Sequence, residues 1–593
     1  MKVKTNTYDI SALRKITAYI SPYKWVFLWV SFAAIIGSAL AIAKPFFLQK
    51  AIDFGIFEKA PNQLIHYIIL MCVCLFSEVF FQINFTFFSN WLGQHVVKDL
   101  RATLFDHISG FKMQYFDKTP VGGLVTRTVS DIEKISEIFS QGLFVIISDI
   151  LKMVVIVLFM TYKNWKLTLL VLSVMPIILI ATKVFHKHMK KAFEGVRSEV
   201  SNLNTYVQEH LSGMKIVQLF GQEKQEYEKF KAINKRHRNA WVHAVWSTSI
   251  FFPIMELCSS ITIGLLVWYG GLQTLSVSSG LTLGIVTMFI QLTQMLFRPL
   301  RQIADKFNTL QMGTVAARRV FGVLSEDHSL AKQETKKIIS PSLKGCIRFE
   351  EVVFSYNTNQ PVLKGVSFTI EQGQSVAIVG ATGAGKSTII NLLGRFYEID
   401  SGNIYIDGYP IQDFNLSFLR SQVAIVLQDV FLFADSIFNN ITFKNPEITK
   451  DQVVAAAKEI GIHEFISNLP GGYNYNVRER GGMLSTGQRQ LIAFLRAYIS
   501  QPQILILDEA TSSVDSYTEE LIEKATEKIT QNRTSIIIAH RLATVAKANQ
   551  IMVLEQGNLV EKGTQQELLN IKEGYYSKLY NQKLKDKFQN GDL

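Results

Sequence analysis

Six stretches in the first half of the chain stay apolar long enough to cross a bilayer, which takes about 20 helical residues. They fall at Trp25–Ala43, Leu64–Phe88, Ile138–Met160, Leu167–Phe185, Trp246–Tyr269 and Leu281–Phe297. Beyond the spans the pattern turns amphipathic. Val96–Ser109 and Val196–Phe230 carry apolar residues three and four apart with charged faces between them, which predicts spanning helices that continue well past the membrane. Tyr115–Gly122 interrupts the first extension with Pro120 and Gly122 and leaves aromatic rings that need cover. Ahead of the first span, Ile10, Leu13, Ile16 and Ile20 recur at helical spacing beside Arg14 and Lys15. That suits a helix lying along the membrane surface, with a simple soluble first turn as the other reading.

The pattern changes again past Ser325. Ser325–Leu343 is polar, charged and contains proline, as a linker does. From Gly345 on, short β-branched runs alternate with helical periodicity, and Arg348–Tyr356, Ser375–Val379, Val423–Leu427, Ile504–Leu507 and Ser535–Ala539 read as strands. The expected fold is an α-helical six-span transmembrane bundle with long cytoplasmic helical extensions, followed by an α/β phosphate-loop domain on a largely parallel sheet. The expected boundaries are an amphipathic segment at 1–24, the membrane domain at 25–324, a linker at 325–344 and the α/β domain at 345–593.

Composition sharpens this. At 593 residues the chain exceeds one core, and 48% hydrophobic with 19% charged residues suits a protein partly in lipid. The net charge of +12 raises the question of nucleic acid, but the cations sit in the long loops. Between spans four and five alone lie Lys187, Lys190, Lys191, Arg197, Lys215, Lys224, Lys229, Lys231, Lys235, Arg236 and Arg238. The charge is therefore a topology signal, placing the N-terminus, both long loops and the C-terminal half in the cytoplasm. No nucleic-acid partner is expected. The four cysteines form neither a disulfide framework nor a metal-ligand spacing. No short apolar core followed by a small-residue cleavage site opens the chain, so the first span is expected to act as its own insertion signal.

Gly380-Ala381-Thr382-Gly383-Ala384-Gly385-Lys386-Ser387-Thr388 fits G-x-x-x-x-G-K-[ST], after the strand Ser375–Val379 and before a helix expected at Thr388–Tyr397. Glycines let backbone N–H groups close around phosphates, and the helix N-terminus adds a favourable dipole. Lys386 reaches the β- and γ-phosphates in such a loop, and the Ser387 hydroxyl binds Mg²⁺. Ile504-Leu505-Ile506-Leu507-Asp508-Glu509 is an apolar strand ending in two carboxylates. Asp508 suits Mg²⁺ through its water shell, and Glu509 suits a general base that polarises water.

On these motifs the C-terminal half resembles the ATPase domain of ABC transporters, and the six spans with long inner loops resemble the exporter type. The resemblance covers nearly the whole chain and implies ATP and Mg²⁺ as ligands. It implies that Tyr356 stacks on adenine and that Gln428 contacts metal and water. By the same resemblance Ser513-Val514-Asp515 crosses a dimer interface, and His540 contacts the γ-phosphate. Tyr115–Gly122 and Ile216–Gly221 become coupling helices docked on the ATPase domains. Leu484-Ser485-Thr486-Gly487-Gln488 matches the family signature Leu-Ser-Gly-Gly-Gln with one change, and opens a helix expected at Gln488–Ser500. In the family this signature serves ATP held by the opposing subunit, so a second half-transporter is implied. Ser485, Gly487 and Gln488 keep the pattern. Thr486 replaces a glycine, and a β-branched residue resists positive φ; the other reading is that position 486 takes an ordinary φ and the change is harmless. With Glu509 and His540 intact, that contrast leads us to expect an unlike partner with an intact glycine signature over a homodimer.

The resemblance further implies ATP-driven export or flipping of a hydrophobic or amphipathic small molecule or lipid, in the inner membrane of a bacterium. An exporter-shaped importer of a metal chelate and an ATP-gated channel are the rival readings. Within the spans, Asp149 and Lys152 stand three apart and are expected to pair. Glu78, Glu256 and the amides Gln82, Asn84, Gln291 and Gln294 either line a cavity or bond between helices. Arg298 lies at a membrane edge.

Overall fold

The computed structural model describes residues 10–275, 281–326, 342–357, 360–508, 516–538 and 542–590. It forms two compact units, Met1–Ser109 with Thr119–Asp327, and Gly110–Lys118 with His328–Leu593.

The first unit is helical. α1 (Ile10–Ala18) precedes the spans, with Ile16 and Ile20 beside it buried. The side chains of Ile10 and Leu13 lie outside the described residues. α2 (Lys24–Lys50) continues as a π-helical segment, Ala51–Phe57, and α3 runs unbroken over Pro61–Ser109. The third span forms a run from Val121 to Lys163, with wide π turns at Arg127–Asp131 and Ile138–Leu143. Its expected start, Ile138, thus falls inside a continuous helical stretch. Six helices of the described residues are long and apolar enough to span a membrane. Their outer faces are apolar too: Trp25, Phe76, Phe80, Leu158 and Trp268 are exposed in the isolated chain. A helix that is apolar all round belongs in lipid or deep in a core.

The second extension departs from its expected continuity. After Gly213 the chain forms a six-residue helix, Met214–Leu219, and Gly221 takes φ +61° before the next long helix, Glu223–Thr274. Glycine tolerates that left-handed turn without a Cβ clash. The sixth span, Leu283–Leu324, begins behind Thr282, whose side chain accepts from Ile285 N. The linker expected at 325–344 lies largely outside the described residues.

One expected contact is corrected. Asp149 pairs with Lys306 on the sixth-span helix, not with Lys152. Lys152 sits one turn along the same helix, but the Asp149 carboxylate faces the sixth-span helix, where Lys306 reaches it. Asn84 is satisfied locally, donating to Phe80 O at 2.9 Å, so its amide is structural. Gln82 and Glu256 stand on exposed surface, while Glu78 and Gln291 are half-buried.

The second unit holds the short helix Met113–Lys118 with Phe111 and Tyr115 buried, their rings 4.4 Å apart. The aromatics at this break are thus covered within that unit. Two sheets follow. A four-stranded antiparallel sheet runs β2-β1-β4-β5, from β1 (Ile347–Ser355), β2 (Pro361–Ile370), β4 (Ser401–Ile406) and β5 (Tyr409–Pro410). The strand expected at Arg348–Tyr356 therefore belongs to this antiparallel sheet, not to the parallel one.

The larger sheet runs β10-β9-β3-β8-β7-β6. β3 (Ser375–Gly380), β6 (Val423–Val426), β7 (Ile504–Asp508), β8 (Thr534–Ile538) and β9 (Gln550–Glu555) are parallel, and β10 (Asn558–Gly563) adds an antiparallel edge. Alternate residues point to opposite cores. Ala377, Val379, Leu505 and Leu507 enter one, and Val376, Ile378, Ile504 and Ile506 the other. Burial on both faces explains why these strands read as uninterrupted apolar runs.

Candidate nucleotide site

The parallel strands bring the motif residues to one edge of the sheet. β3 ends at Gly380 and β7 ends at Asp508, with β8 between them pairing Ile538 to both Ile378 and Asp508. β6, which runs beside β7, carries the chain to Gln428. In open α/β sheets, ligands bind outside the carboxyl ends of the strands.

The loop after β3 is built by close approach. A Cβ on Gly380 would lie 2.2 Å from Leu554 O of β9, so only glycine lets the backbone pass there. Gly385 has φ +101° and caps the helix Lys386–Leu393. That helix starts two residues before the expected Thr388 and stops at Gly394, before Tyr397. Ala384 N donates to Ala381 O at 3.1 Å, which folds the loop over its own start. Lys386 is 8% exposed, and its Nζ donates to Gly380 O at 2.8 Å and Ala381 O at 3.0 Å. Ser387, Thr382 and Gly383 face outward, while Thr388 and Ala384 are buried.

Tyr356 follows β1 and donates through its hydroxyl to Thr388 Oγ1 at 3.3 Å, while Asn391 Nδ2 donates to the same hydroxyl at 3.0 Å. Its ring meets Phe354 and Tyr397 edge-on, 4.8 and 5.1 Å between centroids. The ring is thus fixed beside the loop helix and half open. Asn391 and Tyr397 were not singled out from the sequence. Asn391 stands three residues past Thr388, one turn along the same helix, so its spacing offered a signal.

Burial pushes the Asp508 carboxyl above its ordinary range; the Lys386 ammonium works against this, and Asp429 adds to it. Two carboxylates and a lysine therefore share the strand ends. Asp429, next to Gln428, was also missed. A hard divalent cation with oxygen ligands would relieve the Asp508–Asp429 repulsion, so Ser387, Asp508 and the exposed Gln428 fit Mg²⁺ as a donor set.

The signature also takes shape. Ser485 is the N-cap of Thr486–Ile499: its Oγ accepts from Gln488 N at 3.2 Å, and Gln488 Oε1 accepts from Ser485 N at 3.0 Å. The pair forms a complete capping box. Thr486 is the first helical residue and is not among those with positive φ. Of the two readings the ordinary φ holds, and no backbone strain is stored at Thr486. Its Oγ1 instead accepts from Arg489 Nη2 at 3.2 Å. Gly487 is buried, and Ser485 is exposed. Glu509, Asp515 and His540 lie outside the described residues, next to the ends of β7 and β8 and the start of the helix Ser516–Thr530.

Comparison with known proteins follows the same division of the chain. A family model for the ABC transporter transmembrane region matches residues 27–300, and one described as ABC transporter matches residues 363–512. An uncharacterized ABC transporter ATP-binding protein of Bacillus subtilis (strain 168), YknV, is 35% identical over 578 residues, covering 96% of this chain and 94% of that one. An ATP-dependent lipid A-core flippase of Idiomarina loihiensis is 32% identical over 573 residues, 96% and 97% of the two chains. A bacterial Atm1-family ABC exporter solved with ATP bound superposes with TM-score 0.74 at 26% identity, over 94% of this chain and 98% of that one. Six apolar helices and a phosphate-loop ATPase fused in one chain make this a multi-pass member of the ABC exporter family, an ATP hydrolase coupled to transport.

Proposed function

We propose that the chain exports or flips a lipid or another hydrophobic or amphipathic molecule by alternating access, in the inner membrane of a bacterium. The carrying observation is the fusion itself: one membrane domain and one phosphate-loop ATPase, with a capped signature helix whose Ser485 points outward. Because the chain has one of each, two chains make the transporter, with two ATPs held between the ATPase domains. The lipid class is supported by the flippase among its relatives.

In this reading Lys386, Gly380, Thr382, Gly383, Ala384, Gly385 and Thr388 hold the phosphates, and Tyr356 stacks on the base. Ser387, Gln428 and Asp508 hold Mg²⁺, which when bound neutralises phosphate charge. Glu509 orients and deprotonates water, and His540 and Asp515 complete the site. Tyr115–Gly122 and Met214–Leu219 couple the ATPase to the spans; the membership of Gly110–Lys118 in the second unit supports the first of these. The helical backbone at Thr486 leaves no strain to weaken the signature, which supports a second copy of the chain as the partner; an unlike half-transporter, expected from the contrast between the altered signature and the intact Glu509 and His540, is the second reading.

The test is translocation of a fluorescent phospholipid in proteoliposomes, with direction recorded. Outward, ATP-dependent movement abolished by Lys386→Ala is expected, and Glu509→Gln is expected to bind ATP yet trap a closed dimer. Inward pumping of a metal chelate, or passive current gated by ATP, would replace the export reading. Wild-type hydrolysis by Glu509→Gln would remove the general-base assignment.

A further inference from the structure

Just behind the short helix Met214–Leu219, three side chains tie the two long helices that it joins, Trp165–Ser212 and Glu223–Thr274, and a fourth flanks them. Glu226, in the first turn of the later helix, accepts from the Tyr206 hydroxyl at 2.6 Å and lies 2.7 Å from both His210 Nε2 and Lys229 Nζ. The Tyr206 hydroxyl is also 2.8 Å from Glu226 O. The Tyr206 ring stacks on His210, 3.8 Å between centroids at 17°. The two nitrogens of His210 lie beside Tyr206 O, at 2.8 Å, and the Glu226 carboxylate. Beyond the clamp the tip is apolar and exposed, with Leu211, Ile216, Leu219 and Phe220 each more than half open.

The joined helices are 48 and 52 residues long, so each is a lever of roughly 70–80 Å at 1.5 Å per residue. The turns at its tip contain Gly213 and Gly221, which bend readily. A push on the tip would splay the helices before it reached the membrane unless something fastens them there. We propose that Tyr206, His210 and Glu226 are positioning residues of the transport cycle, a clamp that stiffens the tip so that displacement of Met214–Leu219 is delivered to the spans. The inference rests on the proposed coupling role of that helix, and the experiment separates the two.

Full-length protein in nanodiscs, with Cys72, Cys74, Cys258 and Cys346 replaced by serine, carries a spin label at Leu275→Cys, an exposed outer position. Distances between the labels of paired chains are measured with and without ATP-vanadate, beside ATP hydrolysis. In Tyr206→Phe with Glu226→Gln, the nucleotide-driven distance change is expected to fall at least twofold while KM for ATP stays within twofold. Tyr206→Phe alone, which removes a single oxygen, is expected to give a smaller loss in the same direction. Lys229→Met, removing the exposed arm of the cluster, is expected to behave as the parent. A full distance change in the double variant, with Ile216→Asp abolishing it, overturns the clamp and leaves the coupling helix standing. A full change in both overturns the coupling role and the clamp with it. A loss of ATP affinity in the double variant equal to the loss of motion also overturns it, since the clamp acts only on transmission.

Discussion

Thr486→Gly restores the residue that the signature usually carries, and it measures whether the threonine obstructs anything. The structure assigns the wild-type side chain two small stabilising effects. Threonine at a helical φ is better than glycine by a few tenths of a kcal/mol, because glycine has more backbone freedom to lose. Its hydroxyl accepts from Arg489 in an exposed setting, where a hydrogen bond contributes about 0.5–1 kcal/mol. The sum is about 1 kcal/mol lost on substitution, with no strain relieved in return. One kcal/mol is about a fivefold change in an equilibrium. Phosphate release by the purified chain in nanodiscs, at saturating Mg-ATP, is therefore expected to stay within fivefold of wild type and not to rise, and thermal unfolding to shift slightly downward. A tenfold or greater rise, about 1.4 kcal/mol of barrier, would show that the side chain blocks phosphate and would restore the case for an unlike partner.

Other perturbations test the surrounding structure. Gly380→Ala places a Cβ 2.2 Å from Leu554 O, so ATP binding measured by a fluorescent nucleotide is expected to be lost, whereas Gly383→Ala, with open space around it but left-handed φ, weakens it less. Lys306→Met leaves the Asp149 carboxylate without its cation and should destabilise by about 1–3 kcal/mol, seen as a lowered melting temperature in detergent. Lys152→Met should stay within about 0.5 kcal/mol; the reverse order would reinstate the pairing expected from sequence. Asp435 is held at about 2, below its usual 3.8, by hydrogen bonds from Asn439 and Lys444 and the backbone of Ser436. Its folded pKa being depressed, the stability it contributes is full above pH 3.8 and lost as pH falls toward 2. The melting-temperature gap between wild type and Asp435→Asn is expected to close across that window.

The parallel strands were legible because burial on both faces writes itself as an unbroken apolar run, and the spans because an outer face that meets lipid must be as apolar as one that meets a neighbouring helix. The phosphate loop was legible because Gly380, Gly385 and Lys386 answer to local geometry. What escaped depended on distant partners. Asp149 has a cation three residues away and another in a different helix, and spacing alone favours the nearer one. The β1 strand gave its existence but not its sheet, since pairing with Ile404 and Phe368 is decided by residues far along the chain. The φ of Thr486 could not be read from its neighbours until Ser485 and Gln488 were seen to close a capping box around the helix start. The wide turns at Arg127–Asp131 and Ile138–Leu143 insert an extra residue without any proline or glycine cue at their start.

β3 lies inside its sheet, clasped by β8 and β9, both made far downstream. The floor under Gly380 is itself a carbonyl of β9. During synthesis, then, the membrane helices emerge first, and the nucleotide loop waits without its walls until β8 and β9 have been made. Such nonlocal pairing is slow and leaves apolar edges open to aggregation. A stop anywhere before Leu554 would leave an inserted bundle with no engine.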